Sequence, residues 1–140
     1  MGVMVKTDKG EIRGSEEDGL LVFRGIPYAA APTGELRWQP PRPHPSWGEP
    51  LEATSFGNQA PQNATPMDGL LGGSADPGSQ GEDCLFLNVW TPGTNDTQRP
   101  VMFWIHGGGF TIGAGSQPLY DGQYLAREGD VVVVTINYRM

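Results

Sequence analysis

Cysteine, basic residues and long apolar segments are all scarce in this sequence. A single cysteine, Cys84, excludes an internal disulfide and favours a reducing, cytoplasmic setting. Nine lysines and arginines stand against 16 aspartates and glutamates, and the resulting net charge of −7 argues against a nucleic-acid partner. The apolar runs are too short to cross a membrane, and residues 1–10 lack the apolar centre of a secretory signal. We therefore expect a cytoplasmic protein that binds neither nucleic acid nor membrane.

Glycine and proline are abundant, which predicts a single domain rich in turns and loops. The 140 residues are one domain's length, and they include 21 glycines and 13 prolines without a repeating period. The loosest stretch, residues 61–82, consists mostly of turn-forming residues. It predicts a flexible loop that could gate a site, since long loops in compact domains often carry function.

The first 24 residues predict three short antiparallel strands. Residues 3–6 and 11–13 are separated by the turn signal Asp8-Lys9-Gly10, and a polar break precedes the third strand, 20–24. Small sheets of this kind are commonly structural, so this part of the chain is assigned no chemistry.

Three later apolar runs predict the strands of a larger sheet. They are residues 84–91, 100–106 and 131–136, and a short helix is predicted at 122–127. The last run is apolar on both faces, which is typical of a central strand covered on both sides. Such a sheet needs helical layers. Because only one short helix is predicted, the pattern indicates part of a longer fold.

The strand at 100–106 ends in His106 and three consecutive glycines, Gly107 to Gly109. Glycine adopts positive φ and lets other atoms approach the backbone, so bare N–H groups at the end of the strand can stabilise a developing oxyanion. His-Gly-Gly-Gly loops form the oxyanion hole of α/β-hydrolase lipases and esterases. The alternatives are a phosphate cradle or a tight turn, although the spacing of the usual nucleotide motifs is absent.

Four sequence blocks together resemble the N-terminal part of the type-B carboxylesterases. The blocks are residues 23–29 (FRGIPYA), 82–92 (EDCLFLNVWTP), 100–110 (PVMFWIHGGGF) and 131–139 (VVVVTINYR). The glycine loop alone also fits the hormone-sensitive-lipase-like esterases, and the first two blocks favour type B. The resemblance implies an α/β class and the N-terminal part of an α/β-hydrolase fold. A small antiparallel sheet would be followed by the first strands of the large central sheet. Residues 1–140 would be a partial domain that stops before the nucleophile elbow.

The resemblance also implies which residues serve the site. The backbone N–H groups of Gly108 and Gly109 would be two oxyanion donors, and a third would come from the residue after the nucleophile. His106 and Gly107 would be structural, with His106 holding the shape of the loop rather than acting as a base. Neither a cofactor nor a metal is implied.

Arg24 follows an apolar run, and its spacing leaves two interpretations open. The guanidinium is either buried beside a carboxylate or solvated at the end of a strand. The resemblance implies the first, with an Arg24–Glu82 salt bridge that joins the start of the chain to the base of the long loop.

The sequence departs from the family pattern at Cys84. In many relatives the equivalent cysteine pairs with one that precedes a Pro-Gln step, where this chain has Ala60. Cys84 is then a free thiol. A catalytic thiol is weakly supported, because His44 and His106 are the only histidines and neither has evident orienting support.

The second departure concerns the nucleophile. The Gly-x-Ser-x-Gly elbow of the family does not occur in the sequence. We therefore expect a fragment of a serine esterase that acts on small-molecule esters and requires the remainder of its own domain. Residues 1–140 alone are predicted to be inactive. Alternatives are a non-catalytic binding protein that keeps the fold and an inactive truncated gene product.

Overall fold

A computed structural model describes residues 2–63, 79–95 and 98–140 of the chain. Most of the regular structure is β-sheet, with one α-helix, α1, at Gln123–Gly129 among the described residues. Single 3₁₀ turns lie at Gly34–Leu36 and Pro118–Tyr120. The strands, in chain order, are β1 (Gly2–Lys6), β2 (Glu11–Glu17), β3 (Leu20–Pro27), β4 (Leu51–Glu52), β5 (Phe86–Thr91), β6 (Val101–Ile105) and β7 (Val132–Ile136).

The seven strands form one sheet in the order β1-β2-β3-β5-β7-β6, and β4 pairs with β2 outside this order. The predicted N-terminal meander is present. It continues directly into the later strands, because β3 pairs with β5 in antiparallel fashion across a bulge between Phe23 and Ile26. The pairing of β6 with β7 is parallel. A parallel pair needs a crossover connection, and α1 lies in the segment that connects these two strands.

β2 is longer than the sequence predicted, because its second half is polar. Gly14 lies within this extension, and a Cβ there would meet the Phe23 ring at 2.5 Å. The missing side chain therefore makes room for Phe23 to pack across the sheet. Glycine is usually a sign of a turn, but Gly14 lies inside a strand, where it allows a neighbouring side chain to pack closely.

The helix α1 covers one face of the sheet with a small residue. Ala126 is fully buried and packs in a cluster with four residues from the strands beneath it, Leu20, Val22, Trp90 and Val133. On β7 the consecutive residues Val133, Val134 and Thr135 are all buried. Since consecutive strand residues point to opposite faces, both faces of β7 are covered, as predicted.

The strand β6 is exposed along its whole length. Its five residues, Val101 to Ile105, are between 46 and 62% exposed, although all of them are apolar. In the part of the chain that the structure describes, β6 pairs with β7 on one side and with no strand on the other. An apolar edge of this kind promotes aggregation unless it is covered. This agrees with the prediction that the chain is part of a longer fold.

Candidate active site

The glycine loop follows β6 and turns back sharply within a few residues. His106 is buried, whereas Gly109 and Phe110 are exposed. Three successive residues have positive φ, with +123° at Gly108, +61° at Gly109 and +61° at Phe110. Gly108 also lies against the loop's own backbone, because a Cβ there would come within 1.9 Å of the Ile112 carbonyl oxygen. The loop therefore requires glycine at 108 on both conformational and steric grounds.

His106 orients the first of the two predicted donors. Its Nδ1 lies 2.9 Å from the Gly107 carbonyl oxygen. A carbonyl can only accept, so Nδ1 carries the proton. Burial lowers the pKa of His106, which favours the neutral ring at pH 7. The peptide bond between Gly107 and Gly108 is trans, so fixing its C=O on one side turns the Gly108 N–H to the other side.

The second predicted donor is oriented by the carbonyl of the preceding residue. The Gly108 oxygen accepts hydrogen bonds from the N–H groups of Thr111 and Ile112, at 3.1 and 3.3 Å. It also accepts from the Thr111 hydroxyl at 3.0 Å. Because this peptide is trans as well, the Gly109 N–H is directed away from Thr111 and Ile112.

Neither N–H group has an acceptor in the part of the chain that the structure describes. Within residues 2–63, 79–95 and 98–140, no hydrogen bond uses the N–H of Gly108 or Gly109 as its donor. Among the described residues, no atom lies within 4 Å of a Cβ built at Gly109 apart from its chain neighbours, so the space there is open. Two fixed donors of this kind, with open space beside Gly109, can bind an anionic or partially negative oxygen.

Tyr138 holds His106 from a distant part of the chain. Its ring stacks on the imidazole with centroids 4.3 Å apart and an interplanar angle of 9°. Its hydroxyl donates to the His106 carbonyl oxygen at 2.9 Å. Tyr138 is not among the predicted site residues, although it lies in one of the four family blocks. This contact is consistent with the expectation that His106 has a structural role.

The far end of the loop is fastened to the end of β7. The Gly115 N–H donates to Asn137 Oδ1 at 2.7 Å, and the Thr135 hydroxyl donates to the Gly115 carbonyl at 2.8 Å. A Cβ at Gly115 would meet the Ile136 carbonyl oxygen at 2.6 Å. Buried polar side chains on β7 thus fix the position at which the loop returns to the sheet.

The predicted Arg24–Glu82 salt bridge is wrong. Arg24 binds Glu17 in a bidentate pair, with N–O distances of 2.5 and 2.8 Å, and its guanidinium lies over the Phe56 ring. Glu82 instead pairs with Arg37 at 2.7 Å. The reason is local, because Glu17 ends β2 and the β2–β3 hairpin brings it close to Arg24. Arg24 is thus part of a structural ion pair, but within the hairpin rather than at the base of the long loop.

Cys84 is inert in this structure. It is buried in one cluster with Ala60, the residue that stands where many relatives have its disulfide partner. Burial, with a smaller contribution from Asp83, raises the pKa of the Cys84 thiol to about 11. A thiol that stays protonated at neutral pH is a poor nucleophile.

Two other expectations concern the long loop and the membrane. The loop predicted at 61–82 lies mostly outside the described residues, which omit 64–78, so its predicted gating role stays a prediction. Among the helices that the structure does describe, none has the length and apolar character needed to span a bilayer.

The mixed sheet, with a crossover between β6 and β7 and a glycine loop after β6, defines the N-terminal part of an α/β hydrolase. The chain belongs to the carboxylesterase family, whose sequence profile matches residues 2–140.

Individual relatives agree with this assignment over nearly the whole chain. The para-nitrobenzyl esterase of Bacillus subtilis (strain 168) is 46% identical over 137 residues, which are 98% of this chain and 27% of the relative. The phenmedipham hydrolase of Pseudarthrobacter oxydans is 47% identical over 135 residues, 96% of this chain and 27% of the relative. A solved carboxylesterase of Geobacillus stearothermophilus superposes with a TM-score of 0.86 at 47% identity, covering 98% of this chain and 26% of that one. The chain therefore spans about a quarter of the length of the relatives that it matches.

Proposed function

We propose that this chain contributes the oxyanion-hole loop of a serine esterase that hydrolyses small-molecule carboxylic esters. The observation that carries the proposal is the pair of oriented N–H groups at Gly108 and Gly109, neither of which has an acceptor among the described residues. Membership of the carboxylesterase family and the names of its esterase and hydrolase relatives support the same chemistry.

The proposed reaction follows the acyl-enzyme route. A serine attacks the ester carbonyl, and a histidine, oriented by an acidic residue, takes the serine proton and gives it to the alcohol that leaves as the C–O bond breaks. Water then attacks the acyl-serine and releases the carboxylic acid. None of these three groups is assigned to this chain, which has no nucleophile-elbow motif. As the carbonyl becomes tetrahedral, negative charge develops on its oxygen. The donors at Gly108 and Gly109 would stabilise that charge, and removing one such donor typically costs about 2.7–4 kcal/mol of barrier.

The remainder of the domain is the proposed partner of the exposed strand. The apolar side chains of β6 need a cover, as does its outer edge, which pairs with no strand among the described residues. The matched relatives are about four times as long as this chain. We therefore expect residues 1–140 on their own to show no esterase turnover. The cytoplasmic setting inferred from the single cysteine stays a prediction, as does the lack of a nucleic-acid partner.

The test is ester hydrolysis by the full-length protein that contains this chain. We expect release of para-nitrophenol from a short-chain para-nitrophenyl ester, and its loss after treatment with a serine-directed organophosphate. Residues 1–140, purified separately, serve as the comparison and should show no organophosphate-sensitive turnover. A full-length protein that binds the ester without hydrolysing it would overturn the proposal and favour a binding protein of the same fold.

A further inference from the structure

Gln62 reaches the glycine loop from a distant part of the chain. Its side-chain Oε1 accepts from the Gly113 N–H at 2.7 Å, and its Nε2 donates to the Gly113 carbonyl at 3.0 Å. The amide thus pairs with both polar groups of one backbone residue, as a neighbouring strand would. These two groups are 51 residues apart in the sequence.

Gln62 itself is held by its surroundings. Its Nε2 also lies 3.1 Å from both the Ala60 carbonyl oxygen and Gln59 Oε1, so its two N–H groups are shared among three acceptors. Its backbone N–H donates to Gln80 Oε1 at 3.0 Å. The two side-chain contacts, to Ala60 and Gln59, restrict the amide itself, so it loses little further freedom when it binds Gly113 and can position that residue effectively.

Gly113 in turn packs directly against the groups that orient the first proposed donor. A Cβ at Gly113 would lie 2.4 Å from His106 Nδ1 and 2.6 Å from the Gly107 oxygen. These are the two atoms of the hydrogen bond that turns the Gly108 N–H outward. Gly113 has φ of +112° and no room for a side chain, and its backbone packs directly against this hydrogen bond.

We propose that Gln62 is a positioning residue for the oxyanion loop. By fixing Gly113 it keeps the hydrogen bond from His106 to the Gly107 carbonyl in place, and so keeps the Gly108 N–H aimed at the reacting oxygen. This inference rests on the proposed esterase function. Gln62 touches no substrate atom in this scheme, so its effect falls on the charge that develops in the transition state rather than on substrate binding.

The test compares Gln62→Met with the parent in the full-length protein. Methionine keeps the length and approximate volume but forms neither hydrogen bond to Gly113. A displacement of about 1 Å in a catalytic group can cost about 100-fold. Loss of a whole oxyanion donor costs about 100- to 1000-fold in kcat. We expect kcat to fall about 10- to 100-fold, with KM changed less than about threefold.

A transition-state analogue separates positioning from a general loss of structure. An aryl trifluoromethyl ketone forms a tetrahedral adduct whose oxyanion occupies the same place as that of the ester. Its inhibition constant should rise by about the factor by which kcat falls, whereas the inhibition constant of the product alcohol should not change. If Gln62→Met does not fold, Gln62→Glu takes its place, because it keeps the acceptor for the Gly113 N–H and loses the donor.

Gln80→Ala is the matched control. It removes the acceptor of the Gln62 backbone N–H but leaves both side-chain bonds to Gly113 in place. We expect its kcat to stay within about twofold of the parent. An equal loss in Gln80→Ala, or an unchanged kcat in Gln62→Met, would overturn the positioning role.

The two proposals fail in different ways. A parent protein without esterase turnover overturns the proposed function and this inference with it. An active parent together with an equally active Gln62 variant overturns this inference alone.

Discussion

Substitution of Gly109 by valine tests the proposed oxyanion loop most directly. Gly109 has φ of +61°, and in the described ranges a Cβ built there meets nothing within 4 Å beyond its chain neighbours. The valine methyl groups would therefore enter the open space beside the donor N–H, where the ester oxygen must approach. We expect a loss of at least about 100- to 1000-fold in kcat/KM in the full-length protein, comparable to losing one donor.

The substitution also strains the backbone, and this cost has to be separated from the loss of activity. A β-branched residue in the left-handed region costs about 1–3 kcal/mol. That is smaller than the total stability of a typical domain, about 5–15 kcal/mol, so the variant should remain folded. Its free energy of unfolding should fall by about this amount, as measured by denaturant titration.

Gly34→Val provides the matched control for strain. Gly34 has φ of +54° and is equally open, but it lies in the 3₁₀ turn at Gly34–Leu36 rather than in the glycine loop. Both variants should lose similar stability, and only Gly109→Val should lose activity. Normal ester turnover by a folded Gly109→Val variant would refute the assignment of this N–H as an oxyanion donor. An equal loss of activity in Gly34→Val would show that strain alone explains the effect.

Two further predictions concern stability rather than catalysis. Hydrogen bonds from Arg24 lower the pKa of Glu17 to about 2. Between about pH 4 and 2 the unfolded chain therefore binds more protons than the folded chain, and the stability that the Arg24–Glu17 pair contributes is lost as the pH falls through this window. Glu17→Gln should therefore lower the free energy of unfolding by about 1–2 kcal/mol at pH 7, a figure reduced because the pair is partly exposed, and by almost nothing near pH 2. Equal losses at both pH values in urea titrations would contradict this. Ala60→Cys should form a disulfide with Cys84, because the two residues share a buried cluster, and stabilise the protein by about 3 kcal/mol. Titration that finds two free thiols in the oxidised variant would show that the geometry does not permit the bond.

The sequence predicted the strands well because their signals are local. The apolar runs that became β5, β6 and β7 are bounded by glycine, proline and polar residues, and the glycine loop marks the end of β6. The order of the strands was not predictable in the same way. It depends on β7 inserting between β5 and β6, which is a choice between pairings of similar local character.

The side-chain partners were harder to predict than the strands. Arg24 illustrates the problem, since a buried guanidinium requires a carboxylate but its spacing does not say which one. The family resemblance suggested Glu82 as the partner of Arg24, whereas the partner in the structure is Glu17, which lies seven residues away in the same hairpin. The contacts of Tyr138 with His106 and of Gln62 with Gly113 link positions 32 and 51 residues apart, and no periodic pattern signals such a pairing.

The contacts that orient the two proposed donors all come from within this chain. The Gly107 carbonyl is held by His106, and the Gly108 carbonyl is held by Thr111 and Ile112. His106 is held in turn by the ring and hydroxyl of Tyr138. A hydrogen-bond donor aids catalysis most when it needs no reorganisation as charge develops. In the proposed esterase, this chain would therefore supply a loop whose two donors are already oriented. The rest of the domain would supply the serine, the histidine, the acidic residue and the elements that cover β6.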